Sequence, residues 1–167
     1  MSDDKINVLF VDKDNSIRSI VALALLDRFA GNRFRTFSAG LHPAPEIHPR
    51  TIEMLNTQGL PIEYHRPRCL SEFLHDTAPE MDLVINLSGE LLPCLPGNPQ
   101  IARWRITDPL FEKRDPLGQL AAFRRTFREL ENRIRLFALL RHPMRRQRLA
   151  AGPLGGASMQ SQARAVG

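Results

Sequence analysis

Cysteine is nearly absent from this chain: 167 residues carry two, Cys69 and Cys94. That excludes a disulfide framework and any metal site built on Cys spacing. Long apolar runs are missing as well. The longest, Ile20–Leu26, is far too short to span a bilayer. The first residues contain acidic Asp3 and Asp4 where a secretory leader would be basic. These absences predict a cytoplasmic protein with no membrane partner. A basic body is missing too, despite a formal net charge of +5. Arg141, Arg145, Arg146, Arg148 and Arg164 follow residue 140, and no acid does. Removing those five from 23 leaves 18 basic groups against 18 acidic ones. The excess belongs to the tail, so the body argues against nucleic acid as a partner.

What is present reads as one α/β domain over residues 5–140, followed by a basic tail over 141–167 whose composition predicts disorder. Apolar Ile6–Val11 predicts a buried strand. Ala22, Leu25, Leu26 and Phe29 then give a helix from about Ser19 that stops near Gly31-Asn32. Phe34–Ala39 predicts the second strand, closed by Gly40. Pro49 opens a helix reaching about Gln58, and a short helix is expected around Ser71–His75. Asp82–Leu87 and Ala102–Thr107 predict two more strands. From Leu117 a final helix carries Leu120, Phe123, Phe127, Leu130, Ile134 and Phe137. Leu41–Pro49 and Ser88–Pro99 are loops.

The first strand runs into Asp12-Lys13-Asp14-Asn15-Ser16-Ile17-Arg18 and then into the helix. A strand turning into a helix through such a loop gathers backbone N–H groups, and the helix N-terminus adds partial positive charge. An oxyanion fits there, yet the loop carries two carboxylates of its own.

This segment resembles the loop of the low-molecular-weight protein tyrosine phosphatases and the thiol-dependent arsenate reductases, which reads Cys, five residues, Arg. The arsenate reductase branch is the nearer resemblance. It rests on Phe37-Ser38-Ala39-Gly40, His48-Pro49, Leu70-Ser71-Glu72-Phe73, Asp82-Leu83-Val84-Ile85, Pro96-Gly97, Trp104, Asp108-Pro109, Ala122-Phe123-Arg124 and Arg133-Ile134. The resemblance implies a three-layer sandwich with a four-stranded parallel sheet in the order 2-1-3-4. It implies an oxyanion-binding loop of Lys13, Asp14, Asn15, Ser16, Ile17, Arg18 and Ser19, braced by Asn15 and Ser16. It makes Arg18 the oxyanion-binding arginine and Asp108 the general acid, and it puts Asp12 in the nucleophile's place. Where the arsenate reductases carry further cysteines this chain has Ser88 and Leu92, with Cys94 offset.

A carboxylate cannot supply electrons through a disulfide, so arsenate reduction by the family route is excluded on chemistry. The first expectation is therefore an impaired domain acting as a binding or regulatory protein. Asp12 would be paired with Arg18 and capped by backbone N–H groups, with phosphate, arsenate or a phosphoprotein as ligand. The second is an altered phosphatase acting on a phosphomonoester, with Asp12 as nucleophile, Arg18 for the phosphate and Asp108 as acid, with or without Mg²⁺ at Asp12 and Asp14. The Asp12-Lys13-Asp14 opening also resembles haloacid-dehalogenase-type phosphatases, which use Mg²⁺. No adjacent acidic pair in the second half of the chain supports that. No cofactor and no metal are expected otherwise. The third is a partner-binding module using loops 41–49 and 88–99 or the tail. His48-Pro49 is read as a turn and helix cap rather than a ligand with His42, and Trp104 as packing.

Overall fold

The computed structural model describes residues 5–60, 62, 65–111 and 115–140. The tail from 141 onward lies outside the described residues, and so does the expectation made for it.

Strand β1 (Ile6–Asp12) is apolar on both faces, as a central parallel strand must be. It pairs in parallel with β2 (Phe34–Gly40) on one side and with β3 (Leu83–Asn86) on the other. Strand β4 (Gln100–Arg103) adds to β3, giving the order β2-β1-β3-β4, all parallel. This is the four-stranded α/β fold that the sequence predicts, with the expected order.

Helix α1 (Arg18–Ala30) connects β1 to β2, α2 (Pro49–Thr57) lies between β2 and β3, and α3 (Pro116–Leu139) follows β4. Val8, Phe10, Leu83 and Ile85 point to the face where α1 and α3 pack. Ile20, Val21, Leu25, Phe127, Leu130 and Ile134 fill that core. Leu9, Val11 and Val84 face the other way, onto Leu70, Phe73, Met81 and Leu95. Among the described residues that second face carries one 3-10 turn, Leu70–Phe73, one to two residues before the short helix expected there. Trp104 packs against Phe10 and Phe137, with ring centroids 6.3 and 6.0 Å apart, as read from the sequence.

The fourth strand differs from expectation. It spans Gln100–Arg103, not Ala102–Thr107. β3 ends at Asn86, and the N–H of Trp104 to the Asn86 carbonyl is the last bond between them. Beyond it β4 has no neighbour. The carbonyls of Leu87 and Ile106 are thereby released from the ladder at the C-terminal edge of the sheet, where ligands of open α/β sheets gather.

Candidate functional site

The loop 12–18 crosses that edge. Its carbonyls are held from behind by the segment that follows β2. Asp12, Lys13, Asp14 and Ser16 accept from the N–H groups of Leu41, His42, Ala44 and His48 at 2.7–3.2 Å. No peptide bond among the described residues is cis, so each N–H of the loop points opposite to the carbonyl of its own peptide unit. The N–H groups of Lys13, Asp14, Asn15 and Ile17 therefore turn to the loop's concave side. Loop 41–49 acts as a brace, a role the sequence did not show.

Asn15 fixes the curvature. It sits in the left-handed region at φ 52°, which Asn tolerates better than most residues. Its Nδ2 donates to Ser19 Oγ at 2.7 Å, and its Oδ1 accepts the Arg68 N–H at 2.8 Å. Ser16 contributes only its backbone, so the side-chain brace is Asn15 with Ser19, not Asn15 with Ser16. Gly40 permits the packing. A Cβ there would stand 2.9 Å from Asn15 N and from the Asp14 carbonyl carbon.

Asp12 is fully buried. Its Oδ1 accepts the Asn15 N–H at 2.6 Å, and its Oδ2 accepts the Ser19 N–H at 3.0 Å. Both oxygens thus lie on backbone donors of the loop and the helix start. Burial pushes its carboxyl up to about 6, the Asp14 charge adds to the rise, and the two amides and Arg18 oppose it. Asp14 makes a local turn by accepting the Ser16 N–H at 3.1 Å.

Arg18 does not pair with Asp12 as expected. Asp12 reaches the nearer amides, while the arginine extends from the first turn of α1 across the sheet edge. Its Nη1 donates to the freed carbonyls of Leu87 and Ile106, both at 3.1 Å, and its Nη2 to Asp108 Oδ2 at 3.0 Å. Its Nε is buried without a hydrogen-bond partner. Nε and Nη2 form one edge of the guanidinium fork, the edge that grips an oxyanion with two parallel bonds.

Lys13, Asp14, Arg18, His42, Ser88, Glu90, Thr107, Asp108, Leu110 and Phe111 line an open cleft of about 660 Å³ over this loop. Lys13, Asp14, Arg18, His42, Ser88 and Asp108 are all residues that the sequence brings to notice, whereas no motif marks Glu90. Neither cysteine lines the cleft. Cys69 is half-buried beside Gly40, and Cys94 is exposed. His48 lies outside it: its Nδ1 accepts the Arg50 N–H at 3.2 Å and caps α2.

Among the described residues no three His, Cys, Asp or Glu side chains converge, and both Asp12 oxygens face backbone N–H groups. No helix among the described residues is long and apolar enough to cross a membrane.

This geometry belongs with a fold and loop of known kind. The family model described as low molecular weight phosphotyrosine protein phosphatase matches residues 7–149. The chain belongs to that family. Among its relatives, the arsenate reductase of Halalkalibacterium halodurans is 27% identical over 134 residues, 78% of this chain and 94% of that protein. The structure of a thioredoxin-dependent arsenate reductase of Corynebacterium glutamicum is 30% identical with a TM-score of 0.63. The match covers 82% of this chain and 62% of that one. An arsenate reductase solved in the phosphate binding state is 27% identical, TM-score 0.62, covering 80% and 96%. The low-molecular-weight phosphatase fold is therefore shared with arsenate reductases.

Proposed function

We propose that this low-molecular-weight phosphatase family member is catalytically impaired and acts in the cytoplasm as a binding or regulatory protein with an oxyanion site. One observation carries the reading. Asp12, at the loop position where the family resemblance expects the nucleophilic cysteine, spends both carboxylate oxygens on the amides of Asn15 and Ser19. A carboxylate oxygen that already accepts a backbone N–H is a weaker nucleophile toward phosphorus, and a thiol is needed to reduce arsenate. The residual ligand class is a small oxyanion, phosphate or arsenate, free or carried by a protein. The Nε–Nη2 edge of Arg18 would hold it, with Asp108 displaced from Nη2.

The altered-phosphatase alternative draws on one feature. Asp108 stands in the cleft against Arg18, where a general acid would meet a phosphoryl group held by that arginine. Turnover of p-nitrophenyl phosphate, with and without Mg²⁺, separates the two readings. Absence of turnover supports impairment, and turnover abolished by Asp12→Ala overturns it. Asp12→Cys then tests the rest of the site. Gain of phosphatase or arsenate reductase activity would show an intact cradle that lacks only its nucleophile.

A further inference from the structure

The chain's own carboxylates hold both halves of the proposed oxyanion site. Asp12 occupies the amide half through Asn15 and Ser19, and Asp108 occupies the guanidinium half through Arg18 Nη2. The two contacts differ in kind. The Asp108 side chain is 27% exposed and can leave Arg18 for water. Asp12 is fully buried, so its charge stays in the site unless it is neutralised there.

We propose that Asp12 is a proton-operated stopper of this site: ionised, it repels an oxyanion and holds the loop amides, and protonated, it admits one. The inference rests on the oxyanion reading above and adds its regulation. Protonation takes one proton from solvent and turns one carboxyl oxygen into an O–H. That oxygen becomes a weaker acceptor, so its backbone N–H is released toward the concave side. The new O–H can donate to the arriving anion, and the repelling charge is gone. The rise of the Asp12 carboxyl to about 6 places the change just below neutrality.

Other charges face the site from each neighbouring element. Lys13, Asp14 and Arg18 come from the loop and α1, His42 from the segment after β2, Glu90 from the loop after β3, and Asp108 from that after β4. His48 sits behind, its protonation disfavoured by burial. Of these, His42 is the histidine in the cleft lining, so it is the necessary control.

Sulfate is the probe, because it stays a dianion from about pH 5 to about pH 8 and its own charge adds no pH dependence. Backbone amide shifts of the full-length chain report its binding. Sulfate affinity is expected to rise by about tenfold or more from about pH 8 to about pH 5. Asp12→Asn should bind at the higher pH as the wild type does at the lower, without the pH dependence, and His42→Gln should keep it. Should Asp12→Asn not fold, calorimetry of the wild type in buffers of different ionisation enthalpy reads the same linkage. Sulfate binding near pH 7 must then take up protons, and His42→Gln must do so equally. Sulfate binding with no pH dependence, or a dependence lost in His42→Gln alone, overturns the stopper while leaving the oxyanion site in place. No sulfate binding at either pH, in wild type or Asp12→Asn, overturns the oxyanion reading itself.

Discussion

Arg18 and Asp108 are 90 positions apart in sequence, and their side chains meet at 3.0 Å over the C-terminal edge of the sheet. The contact joins the first turn of α1 to the segment beyond β4. With the bonds to Leu87 and Ile106, it makes one guanidinium the tie between three chain segments.

Removing that tie exposes each partner differently. Arg18→Ala leaves two carbonyls and a carboxylate without their donor in a mostly buried place, for a cost of about 3 kcal/mol. Asp108→Asn gives up a part-exposed ion pair and keeps the two carbonyl bonds, so it should cost about 1 kcal/mol or less. Urea denaturation of the two variants checks the ranking, and equal losses would show that the carbonyl bonds contribute nothing.

The pH dependence of stability has a sign fixed by Asp12. Its carboxyl is raised from 3.8 to about 6 in the folded chain. Between those values the native state holds the proton more tightly than the unfolded state, so stability falls as pH rises. The difference of about two units corresponds to roughly 3 kcal/mol, present in full below the unfolded value and lost as pH climbs through about 6. Asp12→Asn should remove that component. Urea midpoints of wild type and variant at about pH 4.5 and 7.5 test it, and parallel changes in the two proteins would refute it.

The loop's curvature predicts two graded effects. Gly40→Ala forces a Cβ to within 2.9 Å of the loop backbone and should cost about 1–3 kcal/mol, with the largest amide shifts at Asp14 and Asn15. Asn15→Gly keeps the freedom for φ 52° but loses the bonds to Ser19 and Arg68. Asn15→Ala loses the bonds and adds backbone strain, so it should be the more destabilising of the two by about 1 kcal/mol. Thermal denaturation of the pair separates hydrogen bonding from strain.

Much of this architecture is legible in the residues because it depends on local pattern. β1 shows as an unbroken apolar run, α3 as apolar steps of three and four, and loop 12–18 as a strand passing directly into a helix. What escaped depends on where ladders end. No periodicity tells that β3 stops at Asn86, yet that stop shortens β4 and frees the carbonyls that Arg18 captures. The Asp12–Arg18 pairing failed for a related reason. Two oppositely charged residues in one loop invite a pairing, while the amides beside Asp12 and the carbonyls across the sheet edge are invisible in side-chain identity. The Ser-Ala-Gly end of β2 was the available signal for a close approach, since a glycine closing a strand leaves room for backbone.

His48 adds a pH effect of opposite sign to that of Asp12. Burial lowers its basicity, with the Arg50 charge adding to the effect. Its Nδ1 must stay unprotonated to accept the Arg50 N–H at the start of α2, and its ring lies 5.0 Å from that of Phe123. A base whose folded value is depressed contributes stability above its unfolded value of 6.5, and that contribution is lost as pH falls below it. Replacing the cap should cost about 1 kcal/mol at neutral pH in His48→Ala. His48→Asn, which can still accept the Arg50 N–H, should recover most of that, with a cap that does not titrate below neutrality. Because Asp12 favours stability at low pH, the two contributions partly cancel in the wild type. Single variants therefore resolve them: His48→Asn should steepen the rise in stability on acidification, and Asp12→Asn should reverse it. Thermal midpoints at about pH 5 and 7.5 for both variants decide it, and a slope that His48→Asn leaves unchanged would remove the cap from the pH response.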